Sequence, residues 1–281
     1  MEQLIQYCTK DSLYDGPFDN TAGWKAAGMG YLLKTENGKL IAIDGGNAAD
    51  AEDFLALIKA NSADAIPEVD LWILTHPHPD HYYTLLALCE NEALCKQLKI
   101  KTLLYHFPDE FQAQAGVPYC PRHNENMQRI REATGAEVHL PTTDERLMLD
   151  GMELHILYTP TDCSILNNPN QLSLIFTAQG AGKKVLFTGD AFDRNLLITL
   201  WRYDKALKCD VLQMPHHGLC DTGNLRFYKR VAADTLLLPT CIAGDRAMHT
   251  IYADKNQANQ YAEDLATTVY RSFEGTVTIS L

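Results

Sequence analysis

Four potential metal ligands crowd into six residues, His76-Pro77-His78-Pro79-Asp80-His81, separated only by Thr75 from the apolar run Leu71-Trp72-Ile73-Leu74. A short run without a polar residue suits a strand buried on both faces. The chain therefore passes from a sheet interior straight into a polar turn. Pro77 and Pro79 each fix φ near about −65° and narrow the directions the four side chains can take. Imidazole suits zinc, iron and manganese, and a carboxylate adds a harder oxygen. Four such groups would crowd one small ion, so the spacing suits two adjacent ions, which two-metal centres hold roughly 3.5–4 Å apart. The competing reading is a solvated loop that gathers three histidines by chance. With ten histidines in 281 residues, that is the poorer account.

Strand-like and helix-like runs alternate around this segment. Met29 to Lys34, the pair Asn37-Gly38, and Lys39 to Ile43 read as a hairpin. Ala48 to Ala60, His81 to Leu94 and Arg122 to Ala133 read as helices, and Ile100 to Tyr105 as a strand. In the second half, Leu154 to Tyr158, Leu172 to Ala178 and Lys184 to Thr188 read as strands divided by turn residues. Phe192 to Lys208, Leu225 to Ala233 and Asn256 to Thr267 follow as helices, with strands at Asp210 to Gln213, Thr235 to Leu238 and Gly275 to Ile279. Each half contains a strand that ends in an acid, Ile41-Ala42-Ile43-Asp44 and Val185-Leu186-Phe187-Thr188-Gly189-Asp190. That parallel predicts an α/β protein in which two β-rich halves face each other with helices outside. Residues 1–281 are expected to form one domain, although length alone leaves a two-domain split open.

The formal net charge is −12 and no basic run is longer than Lys183-Lys184. Such a chain repels a phosphate backbone, which argues against a long nucleic acid and for a small-molecule substrate. The N-terminus lacks a basic, then apolar, leader pattern, and no apolar stretch approaches the roughly 20 residues of a membrane helix. The expected compartment is the cytoplasm, and the sequence carries no signal for an oligomeric state. Eight scattered cysteines without a Cys-x-x-Cys pair read as small buried hydrophobes. The Cys120/His123 pair cannot by itself fill four positions around zinc.

His-x-His-x-Asp-His after an apolar strand resembles the signature of the metallo-β-lactamase superfamily, and other segments resemble its motifs in order. Leu40-Ile-Ala-Ile-Asp44-Gly45-Gly46 is similar to the first motif, and Val185 to Asp190 to the fourth. Gln213-Met-Pro-His216-His217-Gly218 resembles the His-His-Gly element of the competence-associated nuclease branch and of a phosphorylcholine esterase. Asn170-Gln-Leu-Ser173-Leu174-Ile175 resembles the Asn-x-x-Ser-Leu strand of that branch. The resemblance implies a four-layer αββα sandwich, two divalent metal ions (zinc, or manganese or iron) and a hydrolase. His76 and His78 would bind the first metal, Asp80 and His81 the second, and Asp190 would bridge them. Asp44 would orient neighbouring ligands, although capping of its own turn explains it almost as well. The last ligand stays open between His216, His217 and His249.

Two departures from the family pattern matter. No histidine occurs between Thr161 and Asn170, where the family supplies a third imidazole to the first metal. Asn170, Asn168 or Asp162 could substitute through oxygen, which would weaken that site or favour a harder metal. Tyr82 and Tyr83 stand where the family has small residues; they would narrow the site's mouth, offer a phenol, or pack in the core. His106, His123, His139 and His155 show no partner pattern and read as structural or surface residues. The implied mechanism generates hydroxide from metal-bound water, with Asp80 orienting it or taking its proton. His216 or His217 would stabilise developing charge or protonate the leaving group. Hydrolysis of a small phosphoester or phosphodiester is the first expectation. Hydrolysis of a lactone, thioester or amide is the second, and a non-catalytic metal-binding or sensor protein the third.

Overall fold

A computed structural model describes residues 1–18, 27–107, 122–162, 168–220 and 222–281. Cys120, Cys163 and Asn167 lie outside them. Strands β1 (Gln3–Gln6), β2 (Gly30–Lys34), β3 (Leu40–Asp44), β4 (Glu68–Leu74), β5 (Lys99–Tyr105) and β6 (Glu137–His139) belong to a first sheet. A second sheet holds β7 (Arg146–Leu149), β8 (Met152–Tyr158), β9 (Ile175–Gln179), β10 (Lys184–Phe187), β11 (Val211–Gln213), β12 (Thr235–Leu238) and β13 (Thr268–Arg271). The final strand, β14 (Val277–Ser280), returns to the first sheet, whose order is β14-β1-β2-β3-β4-β5-β6. The second sheet runs β13-β12-β11-β10-β9-β8-β7. Each sheet is antiparallel on one side and parallel on the other, the change falling at β3 in the first and at β10 in the second.

Side-chain alternation explains the layers. Ile41 and Ile43 on β3, and Leu71 and Ile73 on β4, point into the core between the sheets, where they meet Ile156, Phe176, Val185 and Phe187. Leu40, Ala42, Trp72 and Leu74 point the other way, onto helices. Strand β4 is thus covered on both faces, as its apolar run predicts. The first helical layer contains α1 (Ala51–Asn61), α2 (Pro79–Glu90), α3 (Glu92–Cys95) and α4 (His123–Thr134). Phe54 of α1 packs at 5.8 Å from the Trp72 ring. On the second sheet Leu186, Leu212 and Leu236 meet residues such as Leu196 of α5 (Asp193–Tyr203), Phe227 of α6 (Leu225–Val231) and Ala262. The remaining helices are α7 (Ile242–His249) and α8 (Gln257–Leu265), which carries Ala262. Burial of a large apolar side chain contributes about 1.5–3 kcal/mol, so the outer face of each sheet holds its helices through several such residues.

Three sequence expectations shift. The helix expected over His81 to Leu94 divides at Asn91, whose side chain accepts from the Ala93 and Leu94 amides and starts a new helix. Asparagine is a strong N-cap, and the cap outweighs continuation of the helical period. The helix expected over Phe192 to Lys208 ends at Tyr203, where Asp204 takes φ 41°. The strand expected from Leu172 starts only at Ile175, because Pro169–Leu172 form a tight helical turn. Among the described residues no helix is long and apolar enough to cross a membrane.

Candidate metal centre

The loops that carry the candidate ligands leave the C-terminal ends of the two central parallel strand pairs, β3/β4 and β10/β11. At the end of β3, Asp44 adopts φ 55°, and Gly45 and Gly46 follow at 153° and 103°. This turn aims the Asp44 carboxylate at the end of β4. It accepts from the Thr75 amide, the Thr75 hydroxyl and His81 Nδ1, each at 2.8 Å. Asp44 thus fixes a neighbouring imidazole rather than only capping its own turn. His78 is the N-cap of α2, Pro79 opens the helix, and Asp80 and His81 lie in its first turn.

Gly189, at φ 53°, brings the chain from β10 against the β4 loop, where a Cβ would stand 3.0 Å from Thr75 Cβ and 3.1 Å from Ser173 Cβ. The Thr188 and Gly189 amides both donate to Gln213 Oε1 at 2.8 Å, and the Asp190 amide donates to Ser173 Oγ at 3.0 Å. After β11, His216, His217 and Gly218 take φ values of 48°, 57° and 69°. Non-glycine residues held there cost on the order of 1–3 kcal/mol each, and such strain gathers at functional sites. The His216 amide donates to Gly189 O at 3.1 Å and ties the two loops together.

Asp190 Oδ2 is the hub. It lies 3.3 Å from His81 Nε2 and 3.6 Å from both His76 Nε2 and His217 Nε2. His217 Nε2 is also 3.2 Å from Asp80 Oδ2. Two overlapping groups of ligand atoms result, Asp80/His81/Asp190/His217 and His76/His78/Asp190, and within each the atoms lie within 4.8 Å of one another. His217 Nδ1 donates to the Pro239 carbonyl at 2.7 Å, and His81 Nδ1 donates to Asp44. In the neutral ring each donation leaves a lone pair on Nε2, facing carboxylate oxygens. His76, His78, His81 and His217 all bury Nε2 without a hydrogen bond, as Asp190 buries Oδ1. Orphaned buried polar atoms cost about 1–3 kcal/mol each. Cations held within the two groups would satisfy these atoms, whose nitrogen and oxygen donors suit divalent metals.

The electrostatics make the same demand. Burial pushes His76 well below the usual histidine range, with His81 adding to the effect, and burial also lowers His78. His217 rises to about 10 against its burial, because Asp190 and Asp80 surround it. His81 is likewise carried well above the usual range, against burial, by Asp190, Asp44 and Asp80. Asp190 is held well below the usual carboxylate range by His81, His217, His76 and His216, although burial opposes this. His216 is lowered to about 4, chiefly by burial.

The other candidates separate cleanly. His249 is outside both and belongs to a third, separate group with Asp245 and Glu263: its Nδ1 meets the Asp245 carbonyl at 2.8 Å and its Nε2 lies 3.4 Å from Glu263, beside Arg271. Asn170 reaches the centre through His216, its Nδ2 standing 3.1 Å from His216 Nε2. Asn168 is spent capping the Asn170 amide, and Asp162 bonds Thr143, the Thr159 amide and Arg202. Tyr82 is buried and accepts from Asn126 at 2.8 Å, so core packing accounts for it, and Tyr83 packs edge-on against it at 5.0 Å. The organising roles of Thr75 and Gln213 escaped sequence reasoning. Their only signal is a position at a strand end just before a ligand loop.

Two mixed sheets flanked by helices, with a His/Asp cluster at the strand ends, define the metallo-β-lactamase fold. The sequence model of the metallo-beta-lactamase superfamily matches residues 27–165, which contain His76 to His81. Zn(2+)-bound PqqB from Methylobacterium extorquens is similar over 100% of both chains, at 10% identity and a TM-score of 0.59. The metallo-β-lactamase fold protein YhfI from Bacillus subtilis is similar over 99% of both chains, at 13% identity and a TM-score of 0.56. A diphosphatase from the PhnP family is similar over 100% of this chain and 98% of its own, at 11% identity and a TM-score of 0.52. No curated protein matches. The family match supports membership of the metallo-β-lactamase superfamily, and the structural neighbours, at such identities, speak for the fold alone.

Proposed function

We propose that this protein is a metal-dependent hydrolase of small phosphoesters or phosphodiesters that uses two divalent ions. The observation that carries the reading is the shared carboxylate: Asp190 belongs to both ligand groups, each lined by imidazoles whose Nε2 atoms lack a hydrogen bond. His76, His78 and Asp190 would hold one ion, and Asp80, His81, His217 and Asp190 the other. When bound, such ions polarise the scissile group and lower the pKa of water toward about 7. Asp80 sits beside His217 in position to orient the attacking group and take its proton. His216 lies 3.9 Å from Asp190 Oδ2, outside both ligand groups, with 21% of its side chain exposed. It is therefore the histidine left to meet the substrate, donating to a developing oxyanion or leaving group. The preference for phosphoryl substrates draws on the His216-His217-Gly218 and Asn170-x-x-Ser173 segments, which resemble the competence nuclease and phosphorylcholine esterase branch. The net charge of −12 favours small substrates over long nucleic acids.

Purified protein reconstituted with zinc, manganese or iron is expected to hold two equivalents per chain by elemental analysis. It should hydrolyse bis(4-nitrophenyl) phosphate, and His76→Ala should abolish turnover. Hydrolysis of lactones or thioesters alone would assign carbonyl chemistry instead. Tight metal binding with no turnover across a broad ester panel would make the protein a metal-binding one without catalysis.

A further inference from the structure

The sequence singles out Asn170-x-x-Ser173, and the structure gives both ends a partner. Ser173 Oγ accepts from the Asp190 amide at 3.0 Å, and Asn170 Nδ2 lies 3.1 Å from His216 Nε2. The short turn between them is tied at its start by Asn168 Oδ1 on the Asn170 amide and at its end by the Ser173 amide on Asn170 O. One rigid turn therefore touches both loops that follow β10 and β11. Asn170 is buried, so its contact with His216 is not a surface coincidence.

His216 poses a question that this contact answers. Its Nε2 is 3.9 Å from Asp190 Oδ2, close to the 3.6 Å of His76 and His217, yet it belongs to neither ligand group. An imidazole binds a metal through an unprotonated nitrogen, and which nitrogen that is depends on the hydrogen bond made by the other. We propose that Asn170 is a positioning residue that withholds His216 from the metals. Its amide N–H caps the Nε2 lone pair and keeps the ring proton on Nδ1, reserving His216 for the substrate. The ring is held from a second side by Phe192, edge-on at 5.1 Å between centroids, and from its backbone by the left-handed conformation. Two polar atoms of the pair, His216 Nδ1 and Asn170 Oδ1, are buried without partners. The pair thus keeps one donor and one acceptor for an incoming polar group. This inference rests on the hydrolase reading for its catalytic consequence, but not for the tautomer it assigns.

The test joins nuclear magnetic resonance with metal analysis and kinetics. In zinc-loaded wild-type protein, nitrogen-15 spectra of the histidine rings should show His216 as the Nδ1–H tautomer. In Asn170→Asp, whose carboxylate can only accept, the proton should move to Nε2. Asn170→Ala should keep the full metal complement and resist a chelator at least as long as wild type, because Nε2 is freed rather than a ligand lost. Its kcat on bis(4-nitrophenyl) phosphate should fall roughly 10–100-fold, the usual cost of losing a group that orients another at a metal site, with KM changed little. An Nε2–H tautomer in the wild-type protein overturns the proposal. So does loss of a metal equivalent in Asn170→Ala, which would make Asn170 a ligand, or an unchanged kcat, which would make it structural. If wild-type protein hydrolyses nothing, the hydrolase reading fails, and the wild-type spectrum still decides the tautomer.

Discussion

Replacing Asp44 by asparagine should lower metal affinity without disturbing the backbone. Asparagine tolerates the left-handed region about as well as aspartate, so φ 55° is no obstacle. The carboxylate accepts three bonds at 2.8 Å, two of them from Thr75 and one from His81 Nδ1. An amide can keep one acceptor, for the Thr75 N–H, but then turns an NH2 group toward two donors. The Thr75 hydroxyl can rotate away. His81 can relieve the clash only by shifting its proton from Nδ1 to Nε2. That proton would then sit on the atom 3.3 Å from Asp190 Oδ2, where the lone pair is needed. Partners that orient a metal-binding histidine are worth about 10–100-fold in metal affinity, which corresponds to roughly 1.4–2.8 kcal/mol. Competition with a chromogenic chelator measures the shift, and elemental analysis should show the stoichiometry falling from two toward one. A variant with wild-type affinity at both sites would show that Asp44 serves the turn alone and would refute the tautomer argument.

Gly189→Ala places a Cβ against Thr75 and Ser173 in a left-handed position; we expect about 1–3 kcal/mol lost in urea unfolding, and an unchanged midpoint would contradict the close approach. His249 lies in a separate group with Asp245 and Glu263, which Arg271 already neutralises, so His249→Ala should leave the metal held around Asp190 unaltered; loss of an equivalent on elemental analysis would give His249 a ligand role. In chelated protein His217 keeps its proton up to about 10, above the roughly 6.5 of an unfolded chain. Its stabilising contribution is complete below about pH 6.5 and is lost as pH rises through about 10. The Tm of chelated protein should therefore fall across that window and lose this slope when metal replaces the proton; a flat profile in chelator would count against the site's electrostatics.

Much of this was legible because the chemistry is local in sequence. Leu71 to Leu74 announced a strand covered on both faces, and the six residues after Thr75 announced a buried cluster of candidate ligands. The acid that ends β3, Asp44, and the one in the loop after β10, Asp190, foretold paired halves. What stayed hidden depends on distant partners. His216 and His217 are identical neighbours, and what distinguishes them is the Pro239 carbonyl on His217 and the Asn170 amide on His216, 22 and 46 residues away. Helix α7 escaped notice because it contains Gly244 and is capped by the Cys241 sulfur rather than by a residue with a strong capping preference. Edge strands β6, β7 and β13 are only partly buried along their length, so they lack the apolar alternation that marks a strand.

The pairing of halves also explains why the site lies where it does. In each sheet a strand with an antiparallel neighbour on one side gains a parallel neighbour on the other, β3 beside β4 and β10 beside β11. Parallel neighbours end at the same edge, so their outgoing loops emerge side by side and can interlock. The first loop of each pair supplies an acid, Asp44 or Asp190, and the second supplies imidazoles, His76 to His81 or His216 and His217. The two acids have nonetheless diverged in task. Asp44 binds the far side of an imidazole, at His81 Nδ1, whereas Asp190 faces the near side, at His81 Nε2. His81 is therefore gripped between the acids of the two halves. Any shift of one sheet against the other would move Asp190 relative to Asp44 across a single ring. That geometry requires a stiff interface between the sheets, which the buried Ile41, Ile43, Phe176 and Phe187 side chains provide.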